Sequence, residues 1–140
     1  MAEHVTAADL AVTWEPNAPA ARLTVTDDGE ARLTLRAHPE DHDQRPVDLV
    51  WNGCLVARME APNDEAISGH RLCEAGLREV LWLGEVHESG LIAETERRNH
   101  VHPHHTAERY TGLRHWVASL KECTVEVVAD SLRVERNAGP

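Results

Sequence analysis

The chain has 140 residues, and its 24 acids against 14 Lys and Arg give a formal net charge of −10. This excess of acids disfavours nucleic acid and anionic membranes as partners, because both attract basic surfaces. A small-molecule ligand or a basic protein fits the charge better. No apolar run reaches the length of a membrane span, and residues 1–14 lack the features of a signal peptide. We therefore expect a soluble cytoplasmic protein with a single domain over 1–140, frayed at 1–9 and 136–140.

The cysteines indicate a reducing compartment. Cys54, Cys73 and Cys123 are odd in number, widely spaced and without a CxxC pair. This pattern predicts free thiols rather than a disulfide scaffold. Lys121 would lower the pKa of the Cys123 thiol and Glu122 would oppose that effect. We expect each cysteine to be a small apolar filler and not a nucleophile.

The first third of the chain is predicted to form strands. Apolar and polar residues alternate on both sides of the "DDG" turn signal at 27–29, which predicts a hairpin. Residues 47–59 repeat this pattern around Asn52-Gly53 and predict a second hairpin. A further strand is expected around Trp14.

Residues 62–76 predict a helix that starts at Asn63 or Asp64 and stops at Gly76. His70 would lie on its apolar stripe. Gly69 in the middle of a helix typically marks close approach by a backbone or a ligand. We therefore expect His70 either to line a pocket or to be a hydrogen-bonded residue of the core.

The remaining middle segments alternate in type. Residues 78–86 predict a strand buried on both faces, and 89–100 predict a second helix that begins near Ser89. Residues 105–112 predict one short helical turn.

The last part of the chain returns to strands. Residues 113–120 and 124–129 predict a hairpin, and 131–136 predict an edge strand. One face of the hairpin would be apolar, and the other would carry His115, Ser119 and Glu126. The sequence thus predicts an α+β fold with a mostly antiparallel sheet of hairpins packed against two or three helices.

The stretch "HVHPHH" predicts a metal site. Imidazole is a common transition-metal ligand, and Pro103 keeps the segment in a loop. If that loop is extended, His102 and His104 point to the same side. His100 and His105 would join them on a divalent zinc, iron, manganese or nickel ion. Alternatively, these histidines are simply exposed to solvent. Further ligands would come from His70, His115, Glu85, Glu126 or Cys123.

A second candidate site is the pair His115 and Glu126. A carboxylate that accepts from one imidazole nitrogen leaves the other as base or ligand. The alternative is a polar hairpin face in solvent. Together with His70 they form the predicted catalytic set, with Glu65 as an alternative acid.

These patterns favour a histidine-lined pocket where His70, His102, His104 and His115 converge. The protein would be a metal-dependent or acid–base hydrolase, isomerase or cyclase acting on a small polar metabolite. No HExxH, zinc-finger or GxSxG motif is present. The alternative is a non-catalytic acidic protein of the immunity or antitoxin type that binds a basic partner. A homodimer formed by exposed hairpin edges is a third hypothesis.

Overall fold

The computed structural model describes residues 2–61 and 64–137, and only the backbone of residues 64 and 65. These residues form nine strands, two α-helices and two 3-10 helices. The strands are β1 (His4–Ala7), β2 (Arg22–Val25), β3 (Ala31–Leu35), β4 (Val47–Asn52), β5 (Val56–Glu60), β6 (Gly84–His87), β7 (Arg114–Ser119), β8 (Thr124–Ala129) and β9 (Ser131–Arg136). The helices are α1 (Gly90–Asn99) and α2 (Glu108–Thr111), and the 3-10 helices are Asp64–Gly69 and Leu77–Glu79.

The strands form two antiparallel sheets, one of five strands in the order β1-β6-β7-β8-β5 and one of four in the order β2-β3-β4-β9. Apolar residues of β3, β4, β7 and β8 form a shared core between them. Trp51 and Trp116 meet there, with ring centroids 6.3 Å apart. The predicted antiparallel sheet is confirmed, but helices make up much less of the chain than an α+β fold implies. None of the helices in the described residues is long and apolar enough to cross a membrane.

The hairpin of β7 and β8 positions the candidate site, and its predicted faces are confirmed. Trp116 and Val127 point into the core between the sheets. His115, Val117 and Glu126 lie on the outer face, where each is almost fully buried. This face is covered by residues from the 64–80 segment, from α1, from α2 and from the link between α2 and β7, namely Leu72, Leu77, Leu91, Tyr110 and Leu113.

The first predicted hairpin is confirmed by β2 and β3, whereas the second is wrong. Strands β4 and β5 do not pair with each other, because β4 lies between β3 and β9 and β5 pairs with β8. Asn52 and Gly53 carry the chain from one sheet to the other, and Gly53 has a φ of +65°. An Asn-Gly pair specifies a turn, but the strands that flank the turn choose their partners through non-local packing.

The predicted helix over 62–76 is also wrong. The 3-10 helix at 64–69 is kinked at Ala66 (φ −112°, ψ 18°), and turns follow up to Gly76. The Leu72 amide donates to Nδ1 of His70, at 3.0 Å, instead of continuing a helical ladder. Among the described residues the expected close approach at Gly69 is not seen, since a Cβ there would meet none of their atoms within 4 Å. The alternative cap Asn63 lies outside the described residues.

Two further expectations need correction. Residues 4–7 are not frayed but form β1, because Val5 packs on Leu72, Leu77 and Val86 and its amide donates to the Ala75 carbonyl at 2.8 Å. The predicted strand over 78–86 is reduced to β6, and part of its start forms the second 3-10 helix.

The remaining predicted elements have simple outcomes. Trp14 is buried without belonging to a strand. Helices α1 and α2 and the edge strand β9 are confirmed within one to three residues at each end. Residues 138–140 of the expected frayed tail lie outside the described part.

Candidate functional site

The Glu126 carboxylate is the centre of a buried network on the outer face of the five-stranded sheet. Its Oε1 accepts from Nε2 of His115 at 2.8 Å and from Nη2 of Arg71 at 3.0 Å. Its Oε2 accepts from Nη1 of Arg71 at 3.0 Å and from Nη2 of Arg58 at 3.1 Å. Nε2 of His70 lies 3.2 Å from the same oxygen. Four side chains therefore surround one carboxylate.

These donors keep Glu126 ionised. Burial alone would raise its pKa, but the hydrogen bonds from His115 and Arg71 outweigh burial and hold the pKa well below its usual range. In return, the hydrogen bond to Glu126 raises the pKa of Arg71. The Arg58 and Arg71 side chains are 37% and 41% exposed, whereas Glu126 is 1% exposed. The two arginines thus separate a buried carboxylate from solvent.

The ionised carboxylate fixes the chemistry of His115. A carboxylate only accepts hydrogen bonds, so Nε2 of His115 must be the donor. Nδ1 is then the nitrogen that exchanges a proton with its other neighbour, the Ser89 hydroxyl, whose Oγ lies 2.8 Å away. Ser89 Oγ also accepts from the Ile92 amide at 3.1 Å, which leaves its own proton directed at His115. The three side chains form a continuous serine–histidine–carboxylate relay.

Ser89 lies where the chain turns sharply from β6 into α1. Glu88 has a φ of +56°, which is uncommon for a residue other than glycine, and Ser89 caps the helix that follows. Ser89 is half-buried and lines an open groove of about 670 Å³ beside α1 and α2. It is therefore the member of the relay through which a ligand in the groove reaches the buried pair.

His70 has a different position from His115. Its Nδ1 accepts the Leu72 amide and its Nε2 donates to Glu126, so both ring nitrogens are occupied inside the protein. His70 therefore positions Glu126. The structure brings the predicted catalytic set of His70, His115 and Glu126 together, while the side chain of Glu65 lies outside the described part.

The histidine loop forms a separate cluster. The rings of His100 and His105 lie 4.2 Å apart between centroids, and Nε2 of His105 lies 3.6 Å from a carboxylate oxygen of Glu96. His102 and His104 are exposed, with ring centroids 5.8 Å apart. In the described part of the chain, the one group of three potential ligands in reach of a common ion is Glu96, His100 and His105.

Within residues 2–61 and 64–137, His102 and His104 do not join His70 and His115 in a group of potential metal ligands. The expected convergence of these four histidines is therefore not seen there. The loop is not extended as predicted, because the His102 amide donates to the Asn99 carbonyl and the His105 amide to the His102 carbonyl. These turns remove the i, i+2 alternation on which the prediction depended.

The other residues that the sequence suggested as metal ligands have different roles. Glu85 pairs with Arg114 at 2.6 Å, and this hydrogen bond lowers the pKa of the glutamate. Cys54, Cys73 and Cys123 are free thiols, as predicted. Burial raises the pKa of Cys123, and Glu122 raises it further. Its thiol is therefore less reactive than an exposed cysteine.

Sequence patterns missed Ser89 and Glu96 as site residues. Ser89 was recognisable as a helix cap, but its contact with His115 joins residues 26 positions apart. Glu96 and His100 are spaced i, i+4 in α1, and this spacing alone places them on one helix face. Comparison of the chain with protein-family models, curated proteins and solved structures finds no match in any of the three.

Proposed function

We propose that the protein is a hydrolase that cleaves a carboxylic ester of a small polar metabolite, with Ser89 as nucleophile, His115 as general base and Glu126 as the group that orients His115. One observation carries this proposal. His115 Nδ1 lies 2.8 Å from Ser89 Oγ while His115 Nε2 lies 2.8 Å from Glu126 Oε1. A nucleophile within hydrogen-bond distance of a base, which a third group orients, is the general arrangement for activating a serine.

The reaction would proceed in two steps. Nδ1 of His115 takes the Ser89 proton as Oγ attacks the ester carbonyl, and the tetrahedral intermediate expels the alcohol, which receives that proton. Water then attacks the acyl-serine after losing a proton to Nδ1, and the acid leaves as the Ser89 hydroxyl is restored. The nitrogens are exchanged relative to the serine-protease arrangement, because here Nε2 faces the carboxylate.

The start of α1 supplies a favourable field for this chemistry. Ser89 caps the helix, so the positive end of its dipole lies beside the hydroxyl. Negative charge that develops on a carbonyl oxygen there would be stabilised. Glu3 accepts from the Gly90 amide at 2.8 Å, and a substrate oxygen would compete with this carboxylate for the helix end.

The lining of the groove supports an ester with an apolar part. Ile92, Ala93 and Leu113 lie along it with Ser89, while Glu96 and Thr111 add polar groups. A groove that combines apolar side chains with polar groups can hold a small molecule that has both kinds of surface. We therefore expect short acyl chains to bind beside Ser89.

The test is turnover of p-nitrophenyl esters of graded acyl length. Ser89→Asn removes the hydroxyl but keeps a good helix cap, since Asn and Ser are equally favoured at that position. Its melting temperature should stay close to that of the wild type while turnover is lost. Ser131→Ala, at the exposed start of β9, is the control and should retain full turnover. Equal turnover by Ser89→Asn and the wild type would overturn the proposal.

The alternative of an acidic interaction protein stays a prediction with less support. Two acids of the acidic loop at 38–44, Asp41 and Asp43, pair with Arg136 and Arg45. These ion pairs neutralise part of the acidic surface that a basic partner would need.

A further inference from the structure

We infer that Glu96, His100 and His105 bind one divalent transition-metal ion of the zinc type, beside the groove that Ser89 and Glu96 line. The three residues offer ligand atoms that all lie within 4.8 Å of one another. Tetrahedral zinc ligands lie about 3.4 Å apart when each bond is about 2.05 Å long. The site therefore needs to contract by only about 1.4 Å at its widest separation, and His100, which is exposed, is free to move inward.

The backbone brings the three ligands together in two ways. Glu96 and His100 are spaced i, i+4 at the end of α1, so they share one face of the helix. The two successive turns after α1 reverse the chain and return His105 to the same place. No long-range packing is needed to assemble the site.

His105 is the ordered ligand of the set. Its side chain is only 14% exposed, and its ring centroid lies 5.7 Å from that of the buried Tyr110. The side-chain amide of Asn99 lies 2.9 Å from Nδ1 of His105, so Nε2 is the nitrogen that faces Glu96. A metal on Nε2 leaves the ring proton on Nδ1, so the Asn99 amide must then turn its Oδ1 toward Nδ1 to accept that proton. An acceptor on the second imidazole nitrogen is a regular feature of histidine metal ligands.

The donor set leaves room for a ligand on the metal. Two imidazoles and one carboxylate are the protein ligands of zinc sites with an open coordination position. Glu96 lines the groove that Ser89 also lines. The two residues are seven positions apart, which is two turns and about 10 Å along α1.

The separation of Ser89 and Glu96 indicates what the metal would do. This role rests on the proposed function. At about 10 Å the ion cannot contact a carbonyl carbon held beside Ser89. It would instead bind a carboxylate or phosphate group at the other end of the substrate. Metal binding itself requires no catalysis, so the two proposals are tested separately.

The experiment is calorimetric titration of the untagged full chain with Zn²⁺ after removal of metals with a chelator. We expect one ion per chain, and a visible d–d absorption spectrum of tetrahedral type when Co²⁺ replaces Zn²⁺. Glu96→Gln and His100→Ala should each weaken binding at least tenfold, and Asn99→Ala by about 10- to 100-fold. His102→Ala and His104→Ala are the matched controls, because both are exposed in the same loop and lie outside the cluster.

Two results would overturn the inference. One is the absence of saturable binding of one ion per chain. The other is equal weakening by the His102→Ala or His104→Ala controls, which would indicate adventitious binding by exposed histidines. Ser89→Asn should bind Zn²⁺ like the wild type. The two measurements on that variant are independent. Turnover tests the hydrolase proposal, and Zn²⁺ binding tests the metal site.

Discussion

Nε2 of His115 lies 2.8 Å from Oε1 of Glu126, and neither side chain is more than 1% exposed. A buried carboxylate is tolerated only when donors compensate its lost hydration, and Glu126 has four such partners. The pair is placed on the outer face of β7 and β8, beneath α1 and the 64–80 segment. The stability of the fold and the proposed reactivity therefore depend on the same carboxylate.

Replacing Glu126 with Gln should destabilise the protein by about 1–3 kcal/mol, because a buried site loses its charged acceptor while Arg58 and Arg71, 37% and 41% exposed, stay partly hydrated. Glu135→Gln is the matched control. Glu135 is 40% exposed and also pairs with two arginines, Arg32 and Arg133, so its loss should cost less than about 1 kcal/mol. Urea unfolding of the three proteins measures both differences. Similar costs for the two variants would contradict the buried network.

The contribution of Glu126 should depend on pH in a defined direction. Its folded pKa lies below its ordinary value of 4.5, so its stabilisation is complete above that value and is lost as the pH falls toward the folded pKa. The difference in unfolding free energy between the wild type and Glu126→Gln should be constant from about pH 7 to 5 and shrink at lower pH. Unfolding at several pH values tests this, and a difference that grows on acidification would contradict it.

His70→Gln and His115→Gln should separate positioning from catalysis. Glutamine supplies an N–H donor to Glu126 in either position, so both variants lose one neighbouring hydrogen bond and about 1–3 kcal/mol. Only His115→Gln removes the base beside Ser89, and it should lower ester turnover by about 10²–10⁴-fold. His70→Gln should retain most turnover. Circular dichroism confirms that each variant is folded, and equal losses of turnover would contradict the assigned roles.

The sequence pattern was sufficient to predict the hairpin that carries His115 and Glu126. Strict alternation in β7 and β8 places His115 and Glu126 on one face, where the buried Val117 and Val128 lie beside them. The pairing of β5 was not predictable in this way. Its partner, β8, lies more than 60 residues away, and no local turn encodes that choice.

His70 was placed in the site for partly wrong reasons. The helical stripe that suggested its burial does not exist, because its own ring takes the Leu72 amide and the chain continues as turns. The apolar neighbours Leu72 and Leu77 still bury the segment against the sheet. Periodicity therefore identified the buried residues but not the backbone conformation.

Substitution by alanine should have different effects on stability at Gly76 and at Gly69. Gly76 has a φ of +120°, and a Cβ there would lie 2.6 Å from the Val5 carbonyl oxygen of β1. Gly76→Ala should therefore cost at least about 1–3 kcal/mol. A Cβ at Gly69 meets no atom of the described residues within 4 Å, and the φ of Gly69 is not positive. Gly69→Ala should therefore be neutral or stabilising by up to about 1 kcal/mol. Thermal unfolding compares them, and a larger loss at Gly69 would contradict the observed backbone.

The most direct measurement of the central claim is the intact mass of the protein after treatment with an aryl fluorophosphonate. Attack by Ser89 on phosphorus forms an O–P bond and expels fluoride, while His115 takes the serine proton. The relay predicts a single adduct on the wild type, which tandem mass spectrometry places on Ser89, and none on Ser89→Asn. No adduct on the wild type, or an adduct that persists in Ser89→Asn, would contradict an activated serine at this site.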